Sequence, residues 1–187
     1  YYGPAASGVE SALRGCDRHI IIASGNRSLD GERSAVDFLI KRQVDALVLV
    51  THFLSADEIA QINQRCPVFV LNQHFTGGEG QAISFDNFAG GEMAVQHLLE
   101  TGHTQIATVT GPLWKQDAKQ RFLGCQQALN NANLTLMYQY EGDFHVESGM
   151  AHMADMLALK QRPTAIFFAN DLQILSARCG KLNNFAH

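Results

Sequence analysis

Cysteine, proline and tryptophan are scarce in this 187-residue chain, at four, four and one. The cysteines, Cys16, Cys66, Cys125 and Cys179, stand about fifty to sixty residues apart with no C-x-x-C pair. That removes the spacing on which zinc sites and thiol-exchange motifs depend. Buried, reduced thiols are expected instead, as in a cytoplasmic protein. Long hydrophobic runs are missing too. The longest, HIIIA and ALVLV, are a handful of residues where a bilayer crossing takes roughly 20, so no membrane span is expected. Clustered positive charge is also absent: 14 Lys plus Arg against 18 Asp plus Glu give a net charge of -4, with no basic group longer than Lys41-Arg42. Contact with nucleic acid would need another module. At 46% hydrophobic and 17% charged, the composition excludes a collagen, a disordered tail and a small disulfide scaffold. The opening YYGPAASG has neither an initiator Met nor a signal-peptide pattern, so the sequence is read as a fragment of a longer protein.

What is present is alternation. Short β-branched runs recur between longer amphipathic stretches, the pattern of a parallel sheet flanked by helices. Strands are expected at 19–23, 46–50, 68–71, 82–85, 106–110 and 165–169, nearly all apolar, as strands covered on both faces are. Helices are expected at 30–42, capped by Asp30, and at 55–64, where Ser55 and Glu58 form a capping box. Another is expected at 88–101, with Met93, Ala94, His97 and Leu98 on one face and Gly102 as a left-handed cap.

One interval breaks the rhythm. Ten residues, NQHFTGGEGQ, separate VFVL from AISF, whereas a parallel crossover usually takes a dozen or more. The fourth run should therefore pair antiparallel, or sit at an edge and leave the first sheet. A domain change is placed near Phe85 and Asp86, giving units 1–85 and 86–187.

In open α/β sheets, ligands bind beyond the carboxyl ends of the strands. The residues there are Ser24-Gly25-Asn26-Arg27, Thr51-His52-Phe53, Asn72-Gln73-His74, Gly111 to Lys115, and Asn170-Asp171. Neutral hydrogen-bonding groups and aromatic rings suit a polyhydroxylated small molecule. No phosphate-binding glycine loop of either familiar kind follows the first strand, and the G-x-S-x-G elbow is missing. The histidine pairs lack the i, i+4 spacing of helical metal ligands. Glu141, Asp143 and Glu147 are read as solvated carboxylates rather than a glycosidase pair. No metal or cofactor is expected.

Several segments together carry a resemblance. DNFAGGEMAVQHLLETGHTQIATVTGP (86–112), the Arg121-x-x-Gly124 pair, YEGDFHVESG (140–149) and PTAIFFAND (163–171), with VDALVLV (44–50) and PVFVLN (67–72), resemble the effector-binding core of the LacI/GalR family of bacterial transcriptional repressors. The resemblance covers nearly the whole chain. It implies an α/β fold of two doubly wound parallel-sheet lobes of the periplasmic-binding-protein-like type I. It also implies a sensor rather than an enzyme: a cytoplasmic homodimer that holds a sugar-like effector between its lobes and so controls operator binding by a separate headpiece. The ligand-contacting positions it implies are Tyr1, Tyr2, Asn72, Trp114, Lys115, Arg121, Phe144 and Asn170. Asp86 would support the crossover, while Gly90 and Gly91 would allow close helix packing. Family members carry a headpiece before the matched region and further strands after AND, so truncation at both ends and an incomplete second lobe are expected. The alternative is a periplasmic sugar-binding protein of a transport system, which shares this architecture.

Overall fold

The computed structural model describes residues 2–71 and 81–175, with Tyr2 described in its backbone only. Tyr1, the Tyr2 side chain, Asn72 and Cys179 lie outside the described residues. The chain divides into two compact units, Tyr1–Ser84 and Phe85–His187.

The first unit opens with α1 (Tyr2–Leu13), a short 3-10 turn (Arg14–Cys16) and a left-handed Asp17. It continues through α2 (Leu29–Lys41), β1 (Leu47–Leu49), α3 (Ala56–Arg65), β2 (Val68–Leu71) and β3 (Ala82–Ile83). Helix α2 starts one step earlier than expected, and Ser28 rather than Asp30 is its cap. Ser28 has the extended backbone a cap needs, and its hydroxyl accepts from Gly31 N, leaving Asp30 and Glu32 to complement the helix dipole in the first turn. At α3 the expected capping box is present in full.

The three strands form a parallel sheet in the order β1-β2-β3. Leu47, Leu49, Val68 and Val70 bury one face with Val36, Ile59 and Ile62. Val48 and Ile83 on the other face stay about half exposed, so these strands are not covered on both sides as their composition implied. Residues 19–23 form no strand, and Ile21 and Ile22 are exposed. A strand exists only through its ladder, and this run has none among the described residues. Strand β3 is at the sheet edge, but it pairs parallel to β2, Val70 with Ala82 and Leu71 with Ile83. The antiparallel option is thereby corrected. Ten residues can reach roughly 33 Å, ample to return along so short a strand.

The second unit runs α4 (Asn87–Glu100), β4 (Ile106–Thr110), α5 (Gln116–Asn131), β5 (Tyr138–Glu141), α6 (Val146–Ala158) and β6 (Ala165–Phe168). Asp86 caps α4 through Ala89 N, and Gly102, at φ 91, follows its end. The buried stripe of α4 is Gly91 and Val95, while Met93 is 70% exposed. Of the expected face, Leu98 packs against the core beside Leu99, while Met93 turns outward. The sheet is parallel in the order β5-β4-β6. Central β4 is buried throughout. Ile106 packs with Val95, Cys125, Ala128 and Leu129 from α4 and α5, and Ala107 and Val109 pack with Met156 of α6 on the opposite face. Each large side chain buried this fully contributes about 1.5 to 3 kcal/mol. The polar members of β4 are satisfied in place: Thr108 Oγ1 donates to Phe167 O at 3.0 Å and Thr110 Oγ1 to Tyr140 O at 3.4 Å.

Helices α4 and α5 approach closely because each offers a glycine. A Cβ at Gly91 would stand 2.0 Å from Arg121 O, and one at Gly124 would stand 2.0 Å from Phe88 O. Around Gly90 the space is open, so of the two glycines expected to serve packing only Gly91 does.

Candidate binding site

Strand β4 leads into α5 on one face of the second sheet, and β5 leads into α6 on the other. The two connections part at the carboxyl edge, the position where open α/β sheets receive ligands. Four short segments meet there: Gly111 to Lys115 after β4, the first turns of α5, Gly142 to His145 after β5, and Ala169-Asn170 after β6.

Phe144 is central to the group. Its backbone is left-handed, at φ 71, a conformation that costs about 1 to 3 kcal/mol for a residue of this size and persists only where its surroundings impose it. Those surroundings are specific. The ring occupies the space that a side chain at residue 111 would need, since a Cβ on Gly111 would stand 2.1 Å from Phe144 Cζ. The Phe144 carbonyl accepts from Asn170 Nδ2 at 2.9 Å, and Asn170 Oδ1 accepts from Gln173 N at 3.1 Å.

Two cations face this ring. Lys115 Nζ lies 5.5 Å from its centroid and 5.3 Å from that of Trp114, and Arg121 Cζ lies 5.4 Å from the Phe144 centroid. All three distances are within the roughly 6 Å over which a ring quadrupole attracts a cation. Arg121 is fixed further. It donates from Nη1 to Ala169 O at 2.7 Å, from Nη2 to Asp117 Oδ2 at 2.6 Å and from Nε to Asp117 O at 3.2 Å. Trp114 is 60% exposed and stands at the rim.

The nearby carboxylates hold backbone. Glu141 Oε1 accepts from Leu113 N at 2.9 Å, fixing the loop after β4. Asp143 Oδ1 accepts from His145 N at 2.9 Å, and that bond, with the charge of His145 behind it, draws its carboxyl below the ordinary range. Among the described residues, no group of three or more His, Cys, Asp or Glu side chains could hold a metal ion.

In the first unit, Glu32 of α2 organises the loop after β1. It accepts from Thr51 Oγ1, from His52 N at 3.0 Å, from Phe53 N at 3.2 Å and from Leu54 N at 3.1 Å. An open pocket of about 310 Å³ lies beside α2, lined in part by Ser24, Asn26, Ser34 and Phe38. The Phe38 ring there carries the Arg42 guanidinium, 3.8 Å from its centroid.

The sequence family described as periplasmic binding proteins and sugar binding domain of LacI family matches residues 1–184. The chain belongs to this family. Among curated LacI-type relatives, the HTH-type transcriptional repressor PurR of Actinobacillus pleuropneumoniae serotype 5b (strain L20) is 35% identical over 145 residues, covering 76% of this chain and 43% of that protein. PurR of Aliivibrio salmonicida (strain LFI1238) is 30% identical over 181 residues, covering 95% and 54%. The chain therefore spans about half the length of the relatives it matches. A solved transcriptional regulator of the LacI family from Burkhoderia phymatum superposes with a TM-score of 0.86 at 28% identity, covering 98% of this chain and 69% of that one. The fold is thus periplasmic-binding-protein-like, as the resemblance implied.

Of the eight positions expected to contact ligand, Trp114, Lys115, Arg121, Phe144 and Asn170 come together at this carboxyl edge. Tyr1, Asn72 and the ring of Tyr2 fall outside the described residues. Sequence reasoning missed Asp117, which the structure joins to Arg121. Its only signal was the i, i+4 acid-to-arginine spacing on one helix.

Proposed function

We propose that this chain is the ligand-sensing part of a LacI-type transcriptional repressor, and that a sugar or related small metabolite binds where Lys115, Arg121, Phe144 and Asn170 converge. That convergence, with the Trp114 ring beside Lys115, carries the proposal: two cations, two rings and an amide at the carboxyl edge of a parallel sheet can stack on the C–H face of a sugar and hydrogen-bond its hydroxyls. Asn72, Tyr1 and Tyr2 are proposed as further contacts. The units 1–85 and 86–187 are proposed as its two lobes.

The repressor relatives support a sensor rather than a catalyst, working as a cytoplasmic homodimer whose DNA contact is made by a headpiece outside these residues. They favour this over a periplasmic transport protein, although the family description includes both. No helix among the described residues is long and apolar enough to cross a membrane. Sensing would operate by population shift: the effector moves the DNA-binding equilibrium only by its differential affinity for two arrangements, typically about 1 to 3 kcal/mol. The test is operator binding by the full-length protein, followed by fluorescence anisotropy with and without effector. Arg121→Ala should keep operator affinity and lose the effector response. A retained response would overturn the assignment of the site.

A further inference from the structure

Arg121 looks at first like an anion receptor, but its charge is already matched. Asp117 takes one Nη2 bond at 2.6 Å through its carboxylate and the Nε bond at 3.2 Å through its carbonyl, and Ala169 O takes Nη1 at 2.7 Å. Three of the five guanidinium N–H groups are thereby engaged. Both partners of the ion pair are largely shielded, with side chains 24% and 17% exposed, where charge acts more strongly than on an open surface. A ligand reaching this corner meets the remaining N–H groups beside a carboxylate.

We propose that Asp117 is a specificity-determining, positioning residue that makes the effector uncharged at the Arg121 corner, a hydroxyl-bearing sugar rather than a sugar phosphate or sugar acid. The inference rests on the proposal that this carboxyl edge is the effector site. A hydroxyl both donates and accepts, so it can satisfy the arginine N–H and the Asp117 oxygen together. A phosphate or carboxylate oxygen only accepts, and it would face Asp117 as a like charge. The wider edge has the same balance. Lys115 and Arg121 are set against Asp117, Glu141 and Asp143, two cations against three carboxylates. Lys115 keeps its ammonium against the Trp114 and Phe144 rings, where it can donate to a hydroxyl oxygen of a stacked sugar.

The experiment is calorimetric titration of the full-length protein with D-glucose, D-galactose and D-ribose, each beside its terminal phosphate ester and its sugar acid. At least one neutral sugar should bind, and it should outbind its charged counterparts by about tenfold or more. Asp117→Asn, which keeps the shape and one acceptor, should narrow that gap by a similar factor, mainly by tightening the anions. Asp117→Glu should keep the wild-type order. An anionic compound that binds the wild type more tightly than its neutral parent overturns the proposal, and this comparison stands even if a variant fails to fold. A folded Asp117→Asn with an unchanged neutral-to-anion ratio overturns it as well. If folded wild-type protein binds none of the compounds, the sugar-sensing proposal fails and this inference with it, an outcome distinct from binding with the wrong preference.

Discussion

The guanidinium carbon of Arg121 lies 5.4 Å from the centre of the Phe144 ring, although the two residues come from different connections of the second sheet. The ring is held over Gly111 by a left-handed backbone and a bond from Asn170, and the arginine by Asp117 and Ala169. Both groups are in place before any ligand arrives, and such preorganisation lowers the cost of binding.

Phe144→Leu keeps bulk but removes the ring face. The effector dissociation constant should rise about 2- to 30-fold, the span of a lost cation–π and stacking contact. Calorimetry on the folded variant measures this, and an unchanged constant would mean that the ring serves packing alone.

The approach of α4 to α5 gives a paired prediction. Gly91→Ala would drive a methyl group into Arg121 O and should destabilise the protein by about 1 to 3 kcal/mol. Gly90→Ala, in open space one residue earlier, should stabilise it by about 0.5 to 1 kcal/mol through higher helix propensity. Urea unfolding followed by circular dichroism should move the two midpoints in opposite directions.

Glu58 links stability to acid. Bonds from Ser55 N–H and the Ser55 hydroxyl, then from Arg33, lower its carboxyl to about 2 from an ordinary 4.5. Because the folded value is depressed, its contribution is fully present above about 4.5 and is lost as pH falls toward 2. The difference in urea midpoint between wild type and Glu58→Gln should therefore be constant from pH 7 to 5 and shrink below that range. A difference unaltered at pH 3 would show that the ionised carboxylate contributes nothing.

The thiols should separate by reactivity. Cys125 is buried, and burial pushes its thiol up to about 12; Cys66 is raised as well, by burial and then by Asp45. Thiolate is the reactive form, so both should resist alkylation until the protein unfolds. Cys16 is exposed, contrary to the expectation of buried cysteines, and should be labelled before Cys66 and Cys125 when sites are mapped by mass spectrometry.

Much of this fold was legible because it depends on near-continuous apolar runs. Strands β1, β2, β4 and β6 lie where such runs occur, and the Ser55–Glu58 box is a purely local signal. What failed depends on partners distant in sequence. Residues 19–23 have strand composition but no ladder among the described residues, while YQYE of β5 has a ladder and an alternating burial pattern that its polar residues disguise. The parallel pairing of β3 was missed because linker length was weighed without the shortness of the strand it returns to. At the candidate site, Arg121 and Phe144 were singled out through the family motifs. Asp117 was not, because its significance lies in an ion pair made beside Ala169, a residue 52 positions away from it in sequence.

Trp114 is the chain's single tryptophan and stands at the rim of the proposed site, so its emission reports on that site alone. Titration of the full-length protein with neutral sugars that shift its melting temperature should give a saturable change in Trp114 fluorescence, and Arg121→Ala should abolish both the change and the shift. A sugar that stabilises the protein equally with and without Arg121, and leaves Trp114 emission untouched, would place the effector elsewhere and contradict the account.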